Sequence, residues 1–214
     1  MPSTFPPIRQ LATTLALCLA ASLCAAQVTP GPASNAAPPT VRLRGTVQSV
    51  TVSTLTVKER SGELIPLAIS DKLQVNEVYP IALGDIQSGS YIGTAAMPQP
   101  DGSQRAIAVT VFPEAARGVG EGFRPFDLQP ESTMTNATVA DVVAAPTGRT
   151  LQVKYKDGQK TIVVPPDAPI VTFKPGDRGL LVPGASVSLT AQAVDGKPTV
   201  TRVNAGRNGF VLPY

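Results

Sequence analysis

Beyond residue 40 the chain alternates apolar and polar residues in short runs separated by turn signals. Thr46 to Val50 and Leu55 to Lys58 follow the period of two expected of strands with one buried face. Ser61-Gly62 supplies a turn, and Leu64 to Ile69 follows as a third strand, whose Pro66 belongs at an edge or a bulge. Leu83 to Ile86 reads as one helical turn before Gly89 releases the chain into Tyr91 to Ala95. Asp101-Gly102, a hairpin signal, leads into Ala106 to Val111.

The same order then recurs. Thr138 to Val143, Leu151 to Tyr155 and Thr161 to Val164 match the first three strands, with Asp157-Gly158 as the hairpin turn. Leu180 to Gly184 resembles the stretch before Gly89, Ser186 to Thr190 is the fourth strand, and Asp195-Gly196 precedes Val200 to Val203. Asp101 and Asp195 lie 94 positions apart and Gly89 and Gly184 lie 95 apart, so the halves align there almost without gaps. This is the signature of a tandem duplication.

Five strands with a helical turn between the third and fourth follow the plan of a small Greek-key barrel such as the OB-fold, in which closure removes sticky sheet edges. The fold class predicted is therefore all-β, with two tandem five-stranded OB-like barrels. The first is expected over 41–112 and the second over 135–206, joined by a central segment over 113–134 and followed by a tail over 207–214. Barrels of about 70 residues bury too little surface to be robust alone, so the two are expected to pack on each other.

The opening of the chain has a different pattern. Arg9 is the only charge before residue 27, an apolar run extends from Leu11 to Leu23, and Ala25-Ala26 precede Gln27. These are the parts of a cleavable secretory signal over 1–26, implying a periplasmic protein. The run is too short to span a bilayer, and no later segment approaches a span. Cys18 and Cys24 each follow a leucine, where a lipid-modified cysteine takes a small residue. Residues 27–40, rich in Pro, Ala and small polar residues, read as a flexible leader.

Composition removes several function classes. The chain has no histidine, and its two cysteines lie in the expected signal. Ser-His-Asp hydrolysis, His- or Cys-ligated zinc and thiol chemistry are thereby excluded from the mature protein. Oxygen-ligated calcium needs only carboxylates and carbonyls, but no Asp-x-Asp-x-Asp loop occurs, and Asp101, Asp157 and Asp195 serve hairpin turns. No metal site, cofactor or catalytic residue is assigned. The 18 basic and 15 acidic residues leave an excess of three positive charges, two without Arg9, and no basic run marks a nucleic-acid footprint. Without tryptophan, and with four scattered tyrosines, the chain also lacks the aromatic platform of a single-strand binder.

The central segment concentrates the residues of most interest: Arg117, Glu121, Phe123, Arg124, Phe126 and Asp127. Gly118, Gly120 and Gly122 lack the strand-before and helix-after context of a phosphate loop, and are read as letting backbone pass close to a barrel wall. Both phenylalanines are expected to be buried, since exposed aromatic area is costly. The packing reading is an interdomain clamp in which the arginines and acids pair across a seam filled by Phe123 and Phe126. The functional reading is a recognition surface for a partner.

Arg44 to Val47, Ala115 to Gly122, Pro125 to Leu128, Ser132 to Val139, Val164 to Pro166 and Pro175 to Arg178 together resemble a family of exported proteins of unknown function from soil and root-nodule bacteria. The resemblance covers nearly all of the expected mature chain. Its members are often labelled metal ABC transporter permease, a label that the lack of several spans contradicts here. In that family histidine and tryptophan commonly stand where this chain has Phe123 and Phe126, so a histidine ligand would be lost here. The leading expectation is a non-enzymatic binding or interaction module meeting an envelope protein or cell-wall component. The alternatives are an accessory role in metal handling and a carboxylate-based hydrolase built on Glu121 and Asp127.

Overall fold

The computed structural model describes residues 40–145 and 148–214. The expected signal and all of the leader but Thr40 lie outside the described residues. What is described is all β: β1 (Thr40–Val50), β2 (Thr54–Glu59), β3 (Leu64–Pro80), β4 (Tyr91–Pro98), β5 (Gln104–Val111), β6 (Gly122–Pro125), β7 (Thr133–Ala145), β8 (Gly148–Tyr155), β9 (Gly158–Val164), β10 (Ile170–Pro175), β11 (Ser186–Val194) and β12 (Lys197–Gly206), of which β6 and β10 add to the ten that the alternation predicts. Single 3-10 turns at Leu83–Asp85 and Arg178–Leu180 occupy equivalent places in the two repeats. Among the described residues no helix is long and apolar enough to cross a membrane.

All twelve strands belong to one sheet that closes on itself twice. One ring runs β12-β11-β1-β2-β3 and is closed by parallel pairing of β3 with β12. The other runs β5-β4-β7-β8-β9 and is closed by a short parallel contact of β5 with β9. Pro66 precedes the first β12 partner, Ala68, so it sits where one side of β3 is open, as a proline requires.

The rings do not correspond to the two sequence repeats, and this corrects the expected division into barrels over 41–112 and 135–206. Each ring takes three strands from one repeat and two from the other. The cause is the length of β3. Its 17 residues at about 3.3 Å each carry the chain well past its own ring, so β4 and β5 are delivered to β7–β9 instead. The exchange is reciprocal: Gly89 N–H donates to Val139 O at 2.8 Å in one ring, and Gly184 N–H donates to Val47 O at 2.8 Å in the other. The described residues accordingly form one compact unit.

Each ring has its own core. Val47, Leu55, Val57, Leu67, Leu181, Leu189 and Val203 fill the first, and Ile86, Ile92, Val109, Val139, Leu151, Val153 and Ile162 the second. Strand β10 joins the rings, antiparallel to β3 and parallel to β5. At the centre of its pairing with β3, Val78 faces Phe173, residues that are equivalent in the two repeats, so an approximate twofold axis passes through this pair. Val78, Val171 and Leu212 are buried there, with Phe173, Phe210 and Tyr214 packed against them.

Candidate functional site

The strand registers build two matched walls. On the first ring, Arg44 pairs with Ser188 and Ser188 with Asn204, which lies opposite Asn76; Arg42 pairs with Thr190 and Thr190 with Arg202, opposite Gln74. On the second ring the equivalent rows are Asn136–Gly93–Thr110 and Met134–Ala95–Ala108. One wall is polar and cationic. The other is small and largely apolar.

Together the walls line a cavity of about 430 Å³, to which Val78, Phe112, Phe173 and Tyr214 also contribute. Its lining includes Arg42, Arg44, Arg124 and Arg202 and no aspartate or glutamate. Asp127 compensates Arg44, and the remaining arginines, Arg42, Arg124 and Arg202, repel one another around one space, a repulsion that an anion would relieve. Burial pushes the Arg124 pKa down, and the nearby charge of Arg42 adds to the effect.

Several polar groups are fixed. Asn76 Nδ2 donates to Asn204 Oδ1 at 2.9 Å, Arg202 donates through Nε and Nη2 to Gln74 Oε1 at 3.2 and 3.0 Å, and Tyr214 and Thr110 share a hydroxyl hydrogen bond of 2.7 Å. Two others are not. Arg44 Nε and Asn136 Oδ1 are buried without a hydrogen-bond partner in the protein, a costly arrangement for a purely structural wall. Gly93 makes the space between: a Cβ there would lie 2.8 Å from Phe112 Cε2 and 2.9 Å from Asn136 Oδ1.

The central segment roofs the cavity through Ala115, Ala116, Val119, Arg124 and Phe126. Its strand β6 adds to β7, pairing Gly122 with Asn136 and Pro125 with Thr133. Gly118, Gly120 and Gly122 have φ of 81°, 60° and 125°, values that suit glycine, and the loop they shape brings Val119 O onto the wall. There it accepts from Asn136 Nδ2 at 3.0 Å and Tyr91 Oη at 3.2 Å.

The six residues singled out in this segment do not act as one cluster. Phe126 is half-buried, with the Arg44 guanidinium 5.1 Å from its ring centre, and Asp127 accepts from Arg44 Nη1 and Nη2 at 3.1 and 2.7 Å. Phe123, expected to be buried, is 40% exposed and carries Lys160 Nζ 4.4 Å above its ring. In a β-strand successive side chains take opposite faces, and Phe123 takes the outer one. Arg117, Arg124, Glu121 and Asp127, expected to pair across the seam, do not pair with one another. Arg117 pairs with Glu114, Arg124 Nη1 donates to Gly120 O at 2.8 Å, and Glu121 Oε1 accepts the Lys156 N–H at 3.0 Å.

Glu121 and Asp127 thus take separate partners, and neither lines the cavity. Among the described residues no three His, Cys, Asp or Glu side chains gather where they could hold a metal ion. Arg42, Arg202, Ser188, Asn204, Asn136 and Tyr214 escaped the sequence reading. The alternation Val41-Arg42-Leu43-Arg44 was the available signal, since it puts two arginines on one face of a strand. Comparison of the chain with protein-family models, curated proteins and solved structures finds no match.

Proposed function

We propose that this protein is an exported, non-enzymatic binding module whose ligand site is the cavity between the two rings. One observation carries the reading: a roughly 430 Å³ space of ligand size is bounded on one side by arginines and on the other by glycine and alanines. A wall built only for packing would not leave Arg44 Nε and Asn136 Oδ1 unpartnered. The absence of histidine and of any lining carboxylate supports binding over turnover. The pattern of residues 1–26 supports export, and with it a ligand drawn from the envelope or the medium.

A fragment screen followed by amide chemical shifts tests this. Bound fragments are expected to perturb residues of both walls, and Ser188→Phe, which fills the middle of the polar row, is expected to abolish those shifts while leaving the fold intact. Fragments that bind only elsewhere, or that bind Ser188→Phe as well as the native protein, would refute the site.

A further inference from the structure

The class of ligand follows from the difference between the walls, an inference that rests on the cavity being a binding site. The approximate twofold axis relates Arg44 to Asn136, Arg42 to Met134 and Arg202 to Ala108. The two walls occupy matching positions and present opposite chemistry to a single space. A symmetric or wholly apolar occupant would use only one of them.

We infer that the ligand is a small amphipathic organic oxyanion, its head held by Arg42 and Arg124 and its apolar body laid against Phe112, Met134 and Phe173.

Those two arginines are singled out by what the others already do. The ion pairs among the described residues engage Arg44, Arg117, Lys174 and Arg207, leaving Arg42, Arg124 and Arg202 without a carboxylate. Arg202 spends Nε and Nη2 on Gln74, and Arg44 spends both Nη groups on Asp127. Arg124 commits only Nη1, to Gly120 O, and keeps its remaining donors. A guanidinium fork presents paired donors to a carboxylate or a phosphate. The opposite wall supplies the dry surface that rewards a hydrocarbon or ring carrying that head. Phe112 and Phe173, 5.7 Å apart in edge-to-face contact, extend the same surface.

Titration calorimetry with four probes tests the assignment: octanoate, octyl phosphate, octanamide and inorganic phosphate. At least one of the two octyl anions is expected to bind about tenfold or more tightly than both octanamide and inorganic phosphate, a margin of about 1.4 kcal/mol. The stronger of the two anions identifies the head group as carboxylate or phosphate. Arg42→Gln with Arg124→Gln is expected to weaken the octyl anion about tenfold and leave octanamide unchanged, with an unaltered melting temperature reporting an intact fold. Octanamide binding as tightly as the anions would overturn the charge assignment while leaving the cavity as a binding site. No saturable binding of either octyl anion would overturn the ligand class, and the fragment screen judges the cavity independently.

Discussion

Arg44 and Asp127, 83 positions apart, meet in a two-pronged ion pair that ties the central segment to a strand of the first ring. The segment itself is a strand added to β7 of the second ring, so this pair is a clasp between rings. Asp127 is 58% exposed at its side chain, and solvent and salt screen the attraction, so Asp127→Asn is expected to cost about 0.2–1 kcal/mol. Arg44→Ala is expected to cost more, because Phe126 also loses the cation on its ring. The Arg44 hydrogen bonds hold the Asp127 carboxyl below the ordinary carboxylate range. Its contribution is therefore complete above about pH 4, where the unfolded chain is also ionised, and is lost as pH falls through the lowered folded value. Urea melts across pH 2–7 check this: native protein and Asp127→Asn should differ at neutral pH and converge in acid.

Strand exchange makes each ring depend on the other half of the chain, so the protein is expected to unfold in one transition. Leu55 and Leu151 are fully buried in the first and second rings, and truncating either to alanine is expected to cost about 2–5 kcal/mol. Calorimetry should show each substitution moving the whole transition to lower temperature. A split endotherm, with Leu55→Ala shifting only one component, would mean that the rings unfold separately.

How much of this was legible along the chain varies with the range of the interaction. Alternation placed ten of the twelve strands, because it reports local burial periodicity, and missed the short β6 and β10, which take their place by pairing with distant strands. The third strand is read from the sequence as Leu64 to Ile69, whereas β3 continues to Pro80. That continuation decides which ring receives β4 and β5, and the resumed alternation of Leu73-Gln74-Val75-Asn76 was its local signal. The central segment was recognised for its composition, yet Asp127 finds its partner on β1, and Arg124 enters the cavity beside arginines from β1 and β12. Such a site exists only after strands from both repeats have paired.

Tyr214 packs against the seam between the rings and shares a 2.7 Å hydrogen bond with Thr110. Burial raises its pKa, so its phenol stays protonated through ordinary alkaline conditions. Tyr214→Phe is expected to cost about 1 kcal/mol, the usual worth of a neutral hydrogen bond in a protein. Thr110→Val removes the same bond from the other side, and the double variant should cost less than the sum of the two. Denaturant titration of all four proteins checks the coupling, and additive losses would mean that the hydroxyls do not act on each other.

Gly93 and Ser188 occupy equivalent positions on the two walls, which allows the same substitution to be compared in two settings. An alanine at Gly93 would bring its Cβ to 2.8 Å from Phe112 Cε2 and 2.9 Å from Asn136 Oδ1. Both contacts are shorter than van der Waals packing allows, so Phe112 and Asn136 must shift, and the expected loss is about 1–3 kcal/mol. Ser188 already carries a Cβ and is only half-buried, so Ser188→Ala is expected to be neutral within about 0.5 kcal/mol. Thermal melts of the two variants supply the stability half of the comparison. If Gly93→Ala is as stable as the native protein, Phe112 and Asn136 are free to move and the small-residue wall is not rigidly shaped. If it is destabilised as expected, glycine at 93 is required by the packing of Phe112 against Asn136, and the narrow space beside it is a fixed feature of the fold.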